Sequence, residues 1–105
     1  SHLPGGAANA ALMLATVGLA HAYAAQGLRI LAINPGLTQT TRVAEGLRAE
    51  AKRLGVSEAD ALKATLDKIP MGRLAEADEI ASMTVFAASA KASYLSGVVI
   101  TRWTA

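Results

Sequence analysis

Apolar residues between Ala7 and Ala25 fall on every side of a helical turn, whereas those beyond Thr40 recur on one side only. The first pattern predicts a long helix that starts behind Leu3-Pro4-Gly5-Gly6 and runs to about Gln26. Gly27 then supplies the left-handed residue that commonly ends a helix. Leu12, Met13, Leu14, Val17 and Leu19 occupy several faces, so neighbours on several sides are expected to bury this helix. Leu28 to Ile33 is a short, nearly continuous apolar run, which predicts a strand buried on both faces. The run breaks at Asn34-Pro35-Gly36-Leu37-Thr38-Gln39-Thr40 into turn-forming and hydroxyl residues.

Two amphipathic helices follow. One carries Val43, Leu47 and Leu54 on one side, sets Glu45, Arg48, Glu50 and Lys52 elsewhere, and stops at Gly55. The next starts at Ser57, with Asp60 at the capping-box position, and repeats Leu62, Leu66 and Ile69 before Pro70 ends it. Met71-Gly72-Arg73-Leu74 reads as a turn, and a further helix is expected from about Ala77 to Ala90, with Ile80, Met83, Val85 and Phe86 facing the core. Gly97-Val98-Val99-Ile100-Thr101 predicts a second apolar strand. Strand, helices and strand compose one parallel crossover unit, right-handed by strong precedent. Two parallel strands buried on both faces do not make a stable sheet alone. The chain is therefore expected to be the terminal part of a larger doubly wound α/β domain, or to have its sheet completed by a partner.

Composition narrows the picture. Half of the 105 residues are hydrophobic, with one Trp, two Tyr and one Phe among them, so disorder is excluded and closely packed Ala-rich helices are favoured. Ten basic residues against eight acidic ones leave a net charge of +2, and the basic side chains form no stripe, which argues against a nucleic-acid partner. The absence of cysteine excludes a disulfide framework and a thiolate metal site, and fits a cytoplasmic protein. Ala7 to Ala25 is the only membrane candidate; carrying Asn9 and His21, it reads as a buried helix rather than a span. His2 and His21 stand far apart without carboxylates at ligand spacing, so no metal site is expected. Ser93 and Ser96 near Tyr94 lack the His and Asp of a hydrolase triad. Glu76, Asp78 and Glu79 read as a first-turn cluster that favours a helix N-terminus.

In order along the chain, Gly27-Leu28-Arg29-Ile30, Asn34-Pro35-Gly36, Met71-Gly72-Arg73-Leu74, Asp78-Glu79-Ile80-Ala81, Phe86-Ala87-Ala88-Ser89 and Ala92-Ser93-Tyr94-Leu95-Ser96-Gly97 stand at familiar spacings. Together with Ala10-Ala11-Leu12 and the helical residues that follow, they resemble the C-terminal portion of a short-chain dehydrogenase/reductase, particularly members resembling 3-oxoacyl carrier-protein reductases. The resemblance implies a Rossmann-like doubly wound parallel sheet, an NAD or NADP cofactor, and an alcohol or carbonyl substrate of small size. It implies that residues 1–105 are the C-terminal segment of one domain, without the Gly-rich nucleotide half, and that the protein assembles as a homodimer or homotetramer. By resemblance, the Pro-Gly loop lies under the nicotinamide. Pro35 and Gly36 would shape the turn beside Leu37, the Thr38 backbone would meet the carboxamide, and the Thr40 hydroxyl would bind the carboxamide or a nearby phosphate. The residues by themselves allow a second reading, in which Thr38 or Thr40 merely caps the next helix.

Departures from the family pattern are equally informative. Counting back from Gly27, Gly5 and Asn9 stand where the family carries its catalytic Tyr and Lys. In the family the Tyr is the general acid/base and the Lys lowers its pKa while holding the ribose; glycine has no proton to give. No catalytic residue is therefore assigned within the chain, and a catalytically silent relative that binds a nucleotide or serves as a structural subunit is the alternative. Trp103 stands where the family ends its last strand with Asp, in Thr101-Arg102-Trp103-Thr104-Ala105.

Overall fold

The computed structural model describes residues 3–101, so His2 and Trp103 lie outside the described residues. Six elements follow one another: α1 (Leu3–Tyr23), β1 (Ala32–Asn34), α2 (Thr41–Leu54), α3 (Glu58–Leu66), α4 (Ala77–Ala88) and β2 (Val99–Thr101), with short 3-10 turns at Ala24–Gln26 and Ala90–Ala92. The chain folds as two compact units, one of residues 3–34 with 83–101 and one of residues 35–82.

In the first unit β1 and β2 pair in parallel, with Ala32 opposite Val99, Ile33 opposite Ile100 and Asn34 opposite Thr101. The parallel pair is the α/β arrangement expected from the sequence. Both strands are shorter than the apolar runs predict, because a strand extends only where its partner supplies ladder bonds. Residues 28–31 instead approach the segment before β2 through single bonds: Gly97 N–H donates to the Ile30 carbonyl at 2.8 Å, and Ile30 N–H donates to Ser96 Oγ at 3.2 Å. β1 is half-buried rather than buried on both faces, since β2 is its one strand partner among the described residues.

Helix α1 begins at Leu3, ahead of the expected start, and takes Pro4, Gly5 and Gly6 into its first turns. Proline is tolerated there because the N–H it lacks has no intrahelical acceptor in the first turn. A 3-10 turn and Gly27 at φ 78° end the helix as expected. Its burial is not as expected: Thr16 and Ala20 are its buried residues, while Leu12, Leu14, Val17 and Leu19 are exposed. Among the described residues α1 packs against β2 on one side, which covers one of its several apolar faces. By length and composition the 24 residues from Leu3 to Gln26 also suffice to cross a membrane.

The buried face of α1 sits close to a turn. Gly97 has φ 69°, and a Cβ placed there would lie 3.4 Å from the Ala20 Cβ. Space is adequate, so the left-handed backbone is what selects glycine. Gly97→Ala is expected to cost about 1–2 kcal/mol, read as a lower urea midpoint at unchanged slope.

The second unit is built on α2 packed against α3. Thr40 caps α2 through a 3.4 Å bond from Val43 N–H, and Ser57 caps α3 through a 3.0 Å bond from Asp60 N–H. The apolar stripe of α2 is Val43, Leu47 and Ala51 at four-residue spacing; Leu54 is exposed. Helix α3 stops at Leu66, short of the Ile69 expected, and its last turn tightens as Lys68 N–H bonds Thr65 and Ile69 N–H bonds Leu66. Pro70 explains this, because the residue before a proline is pushed away from helical geometry. Helix α4 ends at Ala88 rather than Ala90. Ile80 and Met83 are half-buried and Ala87 is buried, whereas Val85 and Phe86 point to other faces and are exposed. Among the described residues the buried apolar ones are Ala20, Ala87 and Ala92 in the first unit and Ala51, Ala61 and Ile69 in the second, all small side chains except Ile69.

Candidate functional site

Residues 35–40 connect β1 to α2 without regular structure. Pro35, Leu37 and Thr40 are exposed, while Gly36 and Thr38 are half-buried. The loop is folded in part by its own side chains: Thr38 Oγ1 donates to the Gly36 carbonyl at 3.1 Å, and Thr40 receives the Val43 N–H as the α2 cap. The capping role weighed for Thr40 is thus present. Gly36 is not among the glycines with positive φ, so its contribution to the loop is small size rather than left-handed backbone.

What holds the middle of the loop is distant in sequence. Thr38 forms a parallel bridge with Ala75: Ala75 N–H donates to the Leu37 carbonyl at 2.9 Å, and Gln39 N–H donates to the Ala75 carbonyl at 2.8 Å. In a parallel pairing the bonds come from the residues flanking Thr38, so its own N–H and C=O face the opposite edge. Both groups have no partner among the described residues. The loop therefore presents one donor and one acceptor side by side, on a backbone fixed from behind.

Ala75 is fixed in turn. Arg73 forms a forked pair with Glu79, Nη1 to Oε2 at 2.8 Å and Nη2 to Oε1 at 2.7 Å, and its Nη1 also donates to the Leu74 carbonyl at 3.1 Å. Glu79 Oε2 accepts the Glu76 N–H at 2.8 Å, the reaching-back half of a capping box at the start of α4. The acidic cluster read as a helix-start device is one, with Glu79 as its working member. The Arg73 guanidinium, then the Glu76 N–H, draw the Glu79 pKa down to about 2 from the usual 4.5. A carboxylate with a lowered folded pKa adds stability that is complete above its ordinary range and lost as the pH falls toward the folded value. The contribution of Glu79 is thus lost between about pH 4.5 and about 2. A carboxyl NMR titration is expected to place the Glu79 midpoint near 2, and Arg73→Ala to raise it while the Glu76 bond keeps it below 4.5.

In the first unit Arg29 gathers carbonyls where α4 ends. Its Nη1 donates to Ala87, Ala92 and Leu95 at 2.9, 3.0 and 3.3 Å, and its Nη2 to Ser89 at 3.3 Å. Asn34 Nδ2 lies 3.4 Å from Thr101 Oγ1, across the strand pair. An open groove of about 380 Å³ in this unit is lined by Arg29, Leu31, Ile33, Thr84, Ala87 and Ala88. Gly5 is half-buried and Asn9 exposed, both within α1. His21 is exposed on the same helix, and Tyr94 is fully exposed. Among the described residues no group of three or more His, Asp or Glu gathers as a metal ion would require.

The roles of Arg29, Arg73 and Ala75 emerge only in the fold. Arg73 and Glu79 carried a findable signal, opposite charges astride a helix start; Ala75 acts through its backbone and left none.

Residues 4–102 match the family model described as enoyl-(acyl carrier protein) reductase. An uncharacterized short-chain type dehydrogenase/reductase of Sinorhizobium fredii is 38% identical over 91 residues, which are 87% of this chain and 15% of that protein. A short chain dehydrogenase family protein from Francisella tularensis superposes with a TM-score of 0.83 at 27% identity, over 88% of this chain and 38% of that one. L-sorbose reductase from Gluconobacter frateurii, solved in complex with NADPH and L-sorbose, gives 0.79 at 30% identity over 89% and 36%. The chain thus spans well under half the length of each of these proteins.

Proposed function

This chain belongs to the short-chain dehydrogenase/reductase family, and from that premise we propose that the whole protein is an NAD- or NADP-dependent oxidoreductase acting on a small alcohol or carbonyl compound. The loop Pro35, Gly36, Leu37, Thr38 and Thr40 is its nicotinamide wall. One observation carries the reading: the Thr38 N–H and C=O are turned outward together by the Ala75 bridge.

The residues present fit the group. A primary carboxamide offers an N–H donor and a carbonyl acceptor, the complement of the outward pair at Thr38. Gly36, with no side chain, leaves room beside that pair. Bound at this loop, a reduced nicotinamide supplies hydride to a carbonyl carbon. Thr38 would orient the ring amide, and Pro35 and Leu37 would lay apolar surface beside it and displace water. By resemblance Gly5 stands at the family's proton-donor position and offers no acid, and Asn9, at the Lys position, could hydrogen-bond a ribose hydroxyl without supplying charge. In this reading water, or a donor outside α1, delivers the proton.

Full-length protein mixed with NADH or NADPH and a panel of ketones and keto-sugars should show loss of reduced-nicotinamide absorbance. Tight binding without turnover on any substrate would overturn the oxidoreductase assignment and leave a nucleotide-binding protein. No binding of either nucleotide would overturn the reading of the loop itself.

A further inference from the structure

We infer that Arg73 and Glu79 are positioning residues for the 35–40 loop, acting on it through Ala75. The inference rests on the proposed function for what the loop holds, though not for how the loop is held.

The loop lacks ladder partners of its own except at one place, where both flanking bonds of Thr38 end on Ala75. Any shift of Ala75 therefore shifts the edge that Thr38 presents. Ala75 sits between Leu74, whose carbonyl takes a bond from Arg73, and Glu76, whose N–H is held by Glu79. The guanidinium and the carboxylate then close the ring through two bonds of 2.8 and 2.7 Å. Glu79 stands in the first turn of α4, so the 73–76 segment is folded back onto a rigid element. A slip of one residue in that segment would turn the Ala75 bonding groups away from the loop, because adjacent residues in extended backbone face opposite ways.

The ion pair is half-exposed, with side chains 50% and 46% accessible. Exposed pairs contribute little to global stability. Its consequence is local: it selects one placement of Ala75, and through it one placement of Thr38. Such an effect separates cleanly from a fold defect.

The test uses full-length protein and the variants Arg73→Met, Arg73→Lys and Glu79→Gln. Glu79→Gln keeps an acceptor for the Glu76 N–H but removes the charge. Lysine keeps the charge but cannot form the fork. Amide hydrogen exchange at Gln39 and Ala75 should accelerate about tenfold in Arg73→Met, with amides inside α2 and α3 unchanged. The dissociation constant for NADPH or NADH should rise about five- to tenfold in parallel, and both conservative variants should fall between. The melting temperature should move by no more than about 2 °C. Unchanged exchange at Gln39 and Ala75 overturns the inference, whether or not binding weakens. Faster exchange with undiminished nucleotide affinity overturns the link from loop order to binding. A parent protein that binds neither nucleotide overturns the functional reading alone, since the amide data still report whether the pair orders the loop.

Discussion

Gly5→Tyr combined with Asn9→Lys is expected to raise carbonyl reduction by the full-length protein about 10²- to 10⁴-fold, the usual worth of a positioned general acid. Counted back from Gly27, these are the positions at which the resemblance places the family's proton donor and the cation that tunes it. Here Gly5 offers no proton and Asn9 no charge. Asn9 is exposed, so a longer side chain meets no packed neighbour among the described residues. Tyrosine alone should recover less than the pair, because a phenol without a nearby ammonium keeps a pKa near 10. The pH–rate profile separates the two: the double variant should reach its plateau at lower pH than Gly5→Tyr. A double variant that folds, binds nucleotide like the parent and gains no rate would contradict the correspondence of Gly5 and Asn9 with the family's Tyr and Lys positions.

Arg29→Ala is expected to cost about 2–3 kcal/mol of folding stability, the largest loss from any single side chain in the first unit. A helix leaves its last carbonyls without intrahelical donors, and a cation at that end also meets the favourable end of the helix dipole. Arg29 serves both needs, with two bonds near 3 Å to Ala87 and Ala92 and two longer ones to Ser89 and Leu95. These acceptors span the end of α4, the 3-10 turn and the approach to β2, so one guanidinium ties them to the segment leading into β1. Arg29→Lys should restore only part of the loss, since an ammonium cannot reach separated carbonyls as a planar fork does. Urea unfolding decides the matter, and a midpoint for Arg29→Ala within error of the parent would contradict it.

Local chemistry explains what was legible in the sequence. Gly27 and Gly55 end helices, and Ser57 and Thr40 begin them, because each acts within four residues of itself. The loop at 34–40 was legible for the same reason, as Pro-Gly after an apolar run has few other uses. Burial was not. Leu12, Leu14, Val85 and Phe86 are apolar, but whether they are covered depends on what packs beside them. The partners of Arg29 lie 58 to 66 residues away, and no short pattern announces them. Ala75 holds the loop by backbone alone, so its side chain carries no trace of the task. The outward N–H and C=O of Thr38 follow from that pairing, and only the fold displays it.

Whether Thr38 meets the nicotinamide is decided by an NMR titration of the isotope-labelled full-length protein with NADPH and with NADH, following the Thr38 amide. A saturable shift is expected at Thr38 for at least one nucleotide, with Gln39 little changed because its N–H is already bound to Ala75. Nucleotide binding that leaves the Thr38 amide unmoved would contradict it.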